Sequence, residues 1–73
     1  MATTDIEAEL AGVVFRIDST VGTKLQEGDV IITLESMKME IPVCAPESGT
    51  LLEVTVIEGQ SIQAGEIIAR LSR

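Results

Sequence analysis

The chain has 73 residues, 45% of them hydrophobic, with one aromatic (Phe15), one cysteine and no histidine; a chain this short is expected to form a single domain with a thin core and no catalytic cleft of its own. Its net charge of −7, from 12 acidic and 5 basic residues, argues against a nucleic-acid partner, whose phosphates need a basic footprint, and it has no polybasic segment for an anionic membrane. The lack of histidine beside a lone Cys44 excludes a zinc site, a Cys–His nucleophile and an internal disulfide.

In chain order, Met1-Ala2-Thr3-Thr4-Asp5 has neither a positive leader nor an apolar h-region. No later run approaches the roughly 20 apolar residues of a membrane span, so a cytoplasmic location is expected. A strand is predicted over Ile6 to Leu10, followed by a Val/Ile run around Val14 and Ile17, a glycine turn at Gly22 and a short strand at Leu25. The second apolar run, Val30-Ile31-Ile32-Thr33-Leu34, follows the turn Glu27-Gly28-Asp29. Beyond Lys38 come the apolar pair Ile41 and Val43, with Cys44 continuing their strand as a buried or half-buried small apolar residue. The pattern then repeats.

Shifting the chain by 37 positions aligns Gly12 with Gly49, Gly22 with Gly59, Gln26 with Gln63, Gly28 with Gly65, Ile31 with Ile68 and Leu34 with Leu71. Each half is one strand–turn–strand unit whose apolar face needs the other half to cover it. An all-β fold is therefore expected, a flattened antiparallel sandwich of two quasi-twofold halves, with glycines supplying the turn angles. The residues expected inside are Val14, Ile17, Leu25, Val30, Ile32, Leu34, Ile41, Val43, Leu51, Val54, Ile62, Ile67 and Leu71. Lys38 would map past Arg73 under the shift, which puts it far from both termini.

Glu35-Ser36-Met37-Lys38-Met39-Glu40 falls where two strands should meet. If Met37 and Lys38 form the loop, Leu34 faces Ile41 and Ile32 faces Val43 on one apolar side. Centring the loop on Lys38 would mix the faces, which a buried face forbids; a loop of Lys38 and Met39 keeps the parity. Either two-residue loop lacks the Gly, Asn or Asp of a primed turn, so the tip is strained at the lysine. In the first register Glu35 also faces Glu40, a like-charge pair costing about 0.2–1 kcal/mol. Two local rules are broken at one place, as happens at functional sites.

Met37-Lys38-Met39 on a hairpin between Val/Ile-rich strands resembles the attachment site of the biotinyl/lipoyl carrier-domain family, closest to a stand-alone biotin carboxyl carrier protein. The likeness runs from about Ile6 to Leu71 within one domain of residues 1–73. It includes Glu27-Gly28-Asp29, Ala45-Pro46, Gly49, Gly59 and Ala64-Gly65-Glu66. Ser36 stands where the family most often has alanine, and Glu9-Leu10-Ala11 replaces a segment that often carries proline. The turn between Ile17 and Leu25 is too short for the thumb insertion of some carriers, and no tether-like linker is visible.

The resemblance implies a barrel-like sandwich and a non-catalytic carrier subunit. Biotin would be joined to Lys38 as an amide by a biotin protein ligase acting through biotinyl-adenylate. The loaded arm would then shuttle carboxyl groups from a biotin carboxylase to a carboxyltransferase. Glu35, Met37, Met39 and Glu40 would serve tip recognition, the thioethers offering adaptable apolar contact. A lysine ammonium is not a nucleophile, and the flanking carboxylates favour its charged form, which speaks against a Schiff-base or general-base role. Lys24 reads as an ordinary surface charge. Two rival readings are a lipoyl carrier of a 2-oxoacid dehydrogenase type, whose sites resemble Asp-Lys-Ala, and an unmodified interaction module.

Overall fold

The computed structural model describes residues 2–73. Eight strands carry the chain: β1 (Thr3–Glu7), β2 (Gly12–Ile17), β3 (Lys24–Leu25), β4 (Val30–Ser36), β5 (Met39–Cys44), β6 (Gly49–Val54), β7 (Ser61–Ile62) and β8 (Ile67–Ser72). They form two four-stranded antiparallel sheets in the orders β1-β8-β6-β3 and β5-β4-β2-β7. The 37-residue shift carries each sheet onto the other, strand for strand, so the repeat legible in the sequence is a quasi-twofold axis in space. No helix occurs among the described residues. The Cα radius of gyration is 11.2 Å, with a long dimension of 36 Å.

The two apolar faces close on each other in one core of Ile6, Ala8, Val14, Leu25, Ile31, Ile32, Leu34, Ala45, Leu51, Val56, Ile62, Ile68, Ala69 and Leu71. Full burial of one such Ile or Leu contributes about 1.5–3 kcal/mol. Ile17, Val43 and Val54 pack against this cluster from its edge, while Ile41 is half-buried.

Val30 and Ile67 do not take the central places expected of them; Ile31 and Ile68, both 0% exposed, do. The cause is a bulge at each quasi-twofold position. Val30 pairs with Cys44 and Ile32 with Val43, leaving Ile31 without a partner on β5. Glu7 pairs with Ile67 and Ile6 with Ala69, leaving Ile68 without one on β1. A bulged residue shifts the inside–outside alternation by one, so two consecutive residues turn inward, Ile31 with Ile32 on β4 and Ile68 with Ala69 on β8. A second pair of bulges falls at Phe15 and Leu52, which are also 37 apart and are both exposed. Cys44 was expected inside and is instead exposed, because it directly follows inward-facing Val43 on an edge strand.

The matched glycines divide into two kinds. Gly28 and Gly65 have φ of 93° and 86°, the left-handed region that a side chain resists, and stand in turns where their N–H groups donate to Ala45 and Ala8 carbonyls. Gly12 and Gly49 have no such φ; each lets its strand approach a neighbour closely, and a Cβ on Gly12 would lie 2.9 Å from the Glu35 carbonyl oxygen.

Beyond the tip the chain runs the full length of β5 and on to Glu47, whose carboxylate accepts from the Thr4 hydroxyl at 2.7 Å and pairs with Arg73 at 3.6 Å. Ala2 and Arg73 meet there, the Arg73 N–H donating to the Ala2 carbonyl. Strand β5 alone advances about 17 Å. The chain ends therefore lie at the end of the sandwich away from Lys38, as the repeat implied.

On the outer face of the second sheet, Thr33 is buried and its hydroxyl donates to Asp18 at 2.6 Å, while the Arg16 Nε donates to the other Asp18 oxygen at 2.6 Å. Burial, the largest single influence on Asp18, pushes its carboxyl up, but the Thr33 hydroxyl and Arg16 together hold it below the ordinary value of 3.8. Its stabilising contribution is thus complete above the ordinary carboxylate range and fades as pH falls through the folded value. Asp18→Ala should cost about 1–3 kcal/mol at neutral pH by leaving the Thr33 hydroxyl without its acceptor. Urea denaturation checks this, and the difference between Asp18→Ala and the parent should shrink below pH 3.8.

Candidate functional site

The β4–β5 hairpin holds Leu34 opposite Ile41, Ile32 opposite Val43, Glu35 opposite Glu40 and Ser36 opposite Met39. Met37 and Lys38 are therefore the two loop residues, which decides between the loops that the pattern had left open. Their φ angles are 52° and 65°, both left-handed as a type I′ turn demands. Such a conformation costs an L-residue about 1–2 kcal/mol. Burial of Ile32 and Leu34 behind the loop outweighs that cost, because a one-residue slip would turn both to solvent.

This geometry thrusts the loop into solvent. Met37 is 92% exposed and Met39 63%, and Lys38 is exposed between them. The Lys38 ammonium makes no ion pair or hydrogen bond with any described residue. Glu35 and Glu40 face each other one residue pair behind the tip, both exposed, on the side away from the core. The other lysine, Lys24, sits on β3 opposite Thr50 in ordinary strand conformation.

Two residues near the tip were not singled out from the sequence. Gly12 brings β2 against the Glu35 backbone and the Ser36 side chain; its recurrence as Gly49 in the repeat was the available signal. Arg16 is held mainly by its hydrogen bond to Asp18, and more distantly its guanidinium feels the carboxylates of Glu40 and Glu58. Nothing in the sequence spacing put Arg16 within electrostatic reach of Glu40, because β4 lies between their strands.

No cluster of metal-binding side chains is present among the described residues. Nor does any described group touch the Lys38 ammonium to take its proton. The tip can accept a group delivered by another protein; it holds no acid–base pair of its own.

Glu35→Gln should stabilise the hairpin by about 0.2–1 kcal/mol, since it relieves the facing charges. Glu40→Gln should gain less, because Arg16 then loses a favourable neighbour. Denaturation of the two single variants at low salt reads both the sign and the order.

Comparison with known proteins agrees with this geometry. The family described as biotin-requiring enzyme matches residues 5–71. A biotinylated protein TB7.3 homolog of Mycobacterium leprae (strain TN) is 44% identical over 68 residues, covering 93% of this chain and 96% of that one. Pyruvate carboxylase of Bacillus subtilis (strain 168) is 38% identical over 68 residues, which are 93% of this chain but 6% of the carboxylase. Among solved structures, the urea carboxylase of Kluyveromyces lactis superposes with a TM-score of 0.93 at 27% identity, over 97% of this chain and 6% of that one. The fold and the length of the match agree, and the chain belongs to the biotinyl/lipoyl carrier-domain family of biotin-requiring enzymes.

Proposed function

We propose that this chain is a biotin carrier, one domain in which Lys38 forms the amide link to biotin and presents it in turn to a biotin carboxylase and a carboxyltransferase. The observation that carries the reading is the tip itself: an unpaired lysine forced outward by two left-handed residues and flanked by exposed methionines. The similarity to a biotinylated protein and to part of a pyruvate carboxylase supports it.

The residues fit the group. An ammonium with no partner can enter a ligase pocket without breaking an interaction in the carrier, and the two-residue loop leaves the lysine exposed. The biotin protein ligase must remove the ammonium proton and supply an activated acyl group, because the carrier holds no base at Lys38. The new bond joins Nζ to the acyl carbon as the acyl–phosphate bond of biotinyl-adenylate breaks and AMP leaves; the ammonium proton passes to the ligase, and the lysine charge is lost. When attached, biotin supplies the carboxyl-accepting chemistry. The chain supplies rigid presentation from β4 and β5, with Met37 and Met39 as pliable apolar contacts and Glu35 and Glu40 as charged shoulders for partner recognition. The same proposal places this work in the cytoplasm. No helix among the described residues is long and apolar enough to cross a membrane.

Incubation with a biotin protein ligase, biotin and ATP should add one biotinyl group to the intact mass, and peptide mapping should place it on Lys38. Lys38→Arg should accept none, and Lys24→Arg should behave as the parent; label on Lys24 would refute the assignment. A lipoyl mass obtained with a lipoyl ligase, in the absence of any biotin adduct, would favour the lipoyl reading.

Changing Met37 and Met39 together to Leu should alter stability by less than about 1 kcal/mol, as at exposed positions generally. Ligation should survive, while carboxyl transfer in the assembled system should fall, because the modified tip must then fit a second pocket. Steady-state rates of the two reactions measured side by side check this.

A further inference from the structure

The edge strands β1 and β5 of the two sheets do not pair with each other, and a groove of about 470 Å³ lies between them. It sits on the quasi-twofold axis, yet its two ends differ. At the end near the termini, Thr4 and Glu47 close the gap with their 2.7 Å hydrogen bond. The positions related to them by the 37-residue shift are Ile41 and Leu10, both half-buried, which line the groove at the end nearest the lysine with Leu34 beside them. Where symmetry would repeat a polar latch, the chain has an open apolar notch.

The notch leads to the tip. Met39, Ile41 and Val43 alternate on one side of β5, so an apolar track runs from the residue after Lys38 into the groove. Ile41 is three residues from Lys38, about 10 Å along the strand. An extended biotinyl-lysine arm, with about eleven single bonds from Cα to the ring, reaches on the order of 14 Å. The volume falls within the range of small-molecule sites, about 300–1,000 Å³. Asp5, Glu7 and Glu9 stand at the groove's border, so an anionic occupant is disfavoured and a neutral one that donates N–H groups is favoured.

We propose that the β1–β5 groove is a resting seat for the biotinyl arm, its apolar part lying between Leu10 and Ile41 while the carrier is between partners. This rests on the assignment of biotin to Lys38. The seat shields an apolar ring from water, and the arm leaves it to enter a partner's active site. It also gives a use to Leu10, in a stretch where related domains often carry proline.

Methyl-labelled NMR of the complete chain, before and after enzymatic biotinylation confirmed by intact mass, tests the seat. Biotinylation should shift the Leu10, Leu34, Ile41 and Val43 methyl signals and give nuclear Overhauser contacts from biotin ring protons to Leu10 and Ile41. In Leu10→Glu, checked for folding by its unmodified spectrum, the biotin-dependent shift at Ile41 should vanish. Biotin present on Lys38 with changes confined to residues 36–40 would overturn the seat and leave the carrier assignment standing. Absence of any biotin on Lys38 would overturn both. Groove shifts that grow with protein concentration, in the unmodified chain as well, would mean that a second copy occupies the groove and would also overturn the seat.

Discussion

Burial of one face of β4 governs the rest of the molecule. Ile32 and Leu34 are almost wholly removed from water, and only one register of β5 lays Val43 and Ile41 over them. That register leaves two residues for the loop and none that is comfortable there. The penalties are about 1–2 kcal/mol for each left-handed residue and about 0.2–1 for the facing glutamates. Burial of the two large side chains behind them is worth about 1.5–3 kcal/mol each. The hydrophobic term holds the strained tip in place, so Lys38 is presented by the core rather than by any contact of its own.

The same construction is used twice. The bulges at Ile31 and Ile68, the turns at Gly28 and Gly65, and the close approaches at Gly12 and Gly49 all obey the 37-residue shift. Stability needs only this repeated scaffold. Its exceptions are local. Lys38 has no counterpart, since the related place is occupied by the chain ends. Thr4 and Glu47 bond where Ile41 and Leu10 do not. On the outer faces, Arg70 bridges Asp5 and Glu53 across three strands, whereas the corresponding place on the other sheet holds Thr33 with Asp18 and Arg16.

A carrier of this kind does its work through position. Its edges are kept from pairing with other chains in part by Pro42, which cannot donate from the exposed edge strand β5. Its surface carries net negative charge, which keeps small domains apart in solution. Neither property selects a partner. What sets this chain apart from its own scaffold is the tip, where exposed thioethers and two carboxylates flank one lysine.

The face parity of the hairpin, the two-sheet architecture and the remoteness of Lys38 from the termini were legible in the sequence, whereas the choice between the two possible loops was not. All three follow from alternation and from the repeat, and a strict period of two allows few solutions. The inward places of Ile31 and Ile68 in preference to Val30 and Ile67 were not legible, whereas the exposure of Cys44 follows from alternation after Val43. Strand parity read from a sequence assumes one residue for one, and a bulge breaks that count at a point set by the neighbouring strand. The influence of Glu40 on Arg16 and the groove between β1 and β5 join residues from different strands and different sheets. Local pattern determined which faces must be buried; only the packing of the two sheets decided which side chains meet across the gap that burial leaves open.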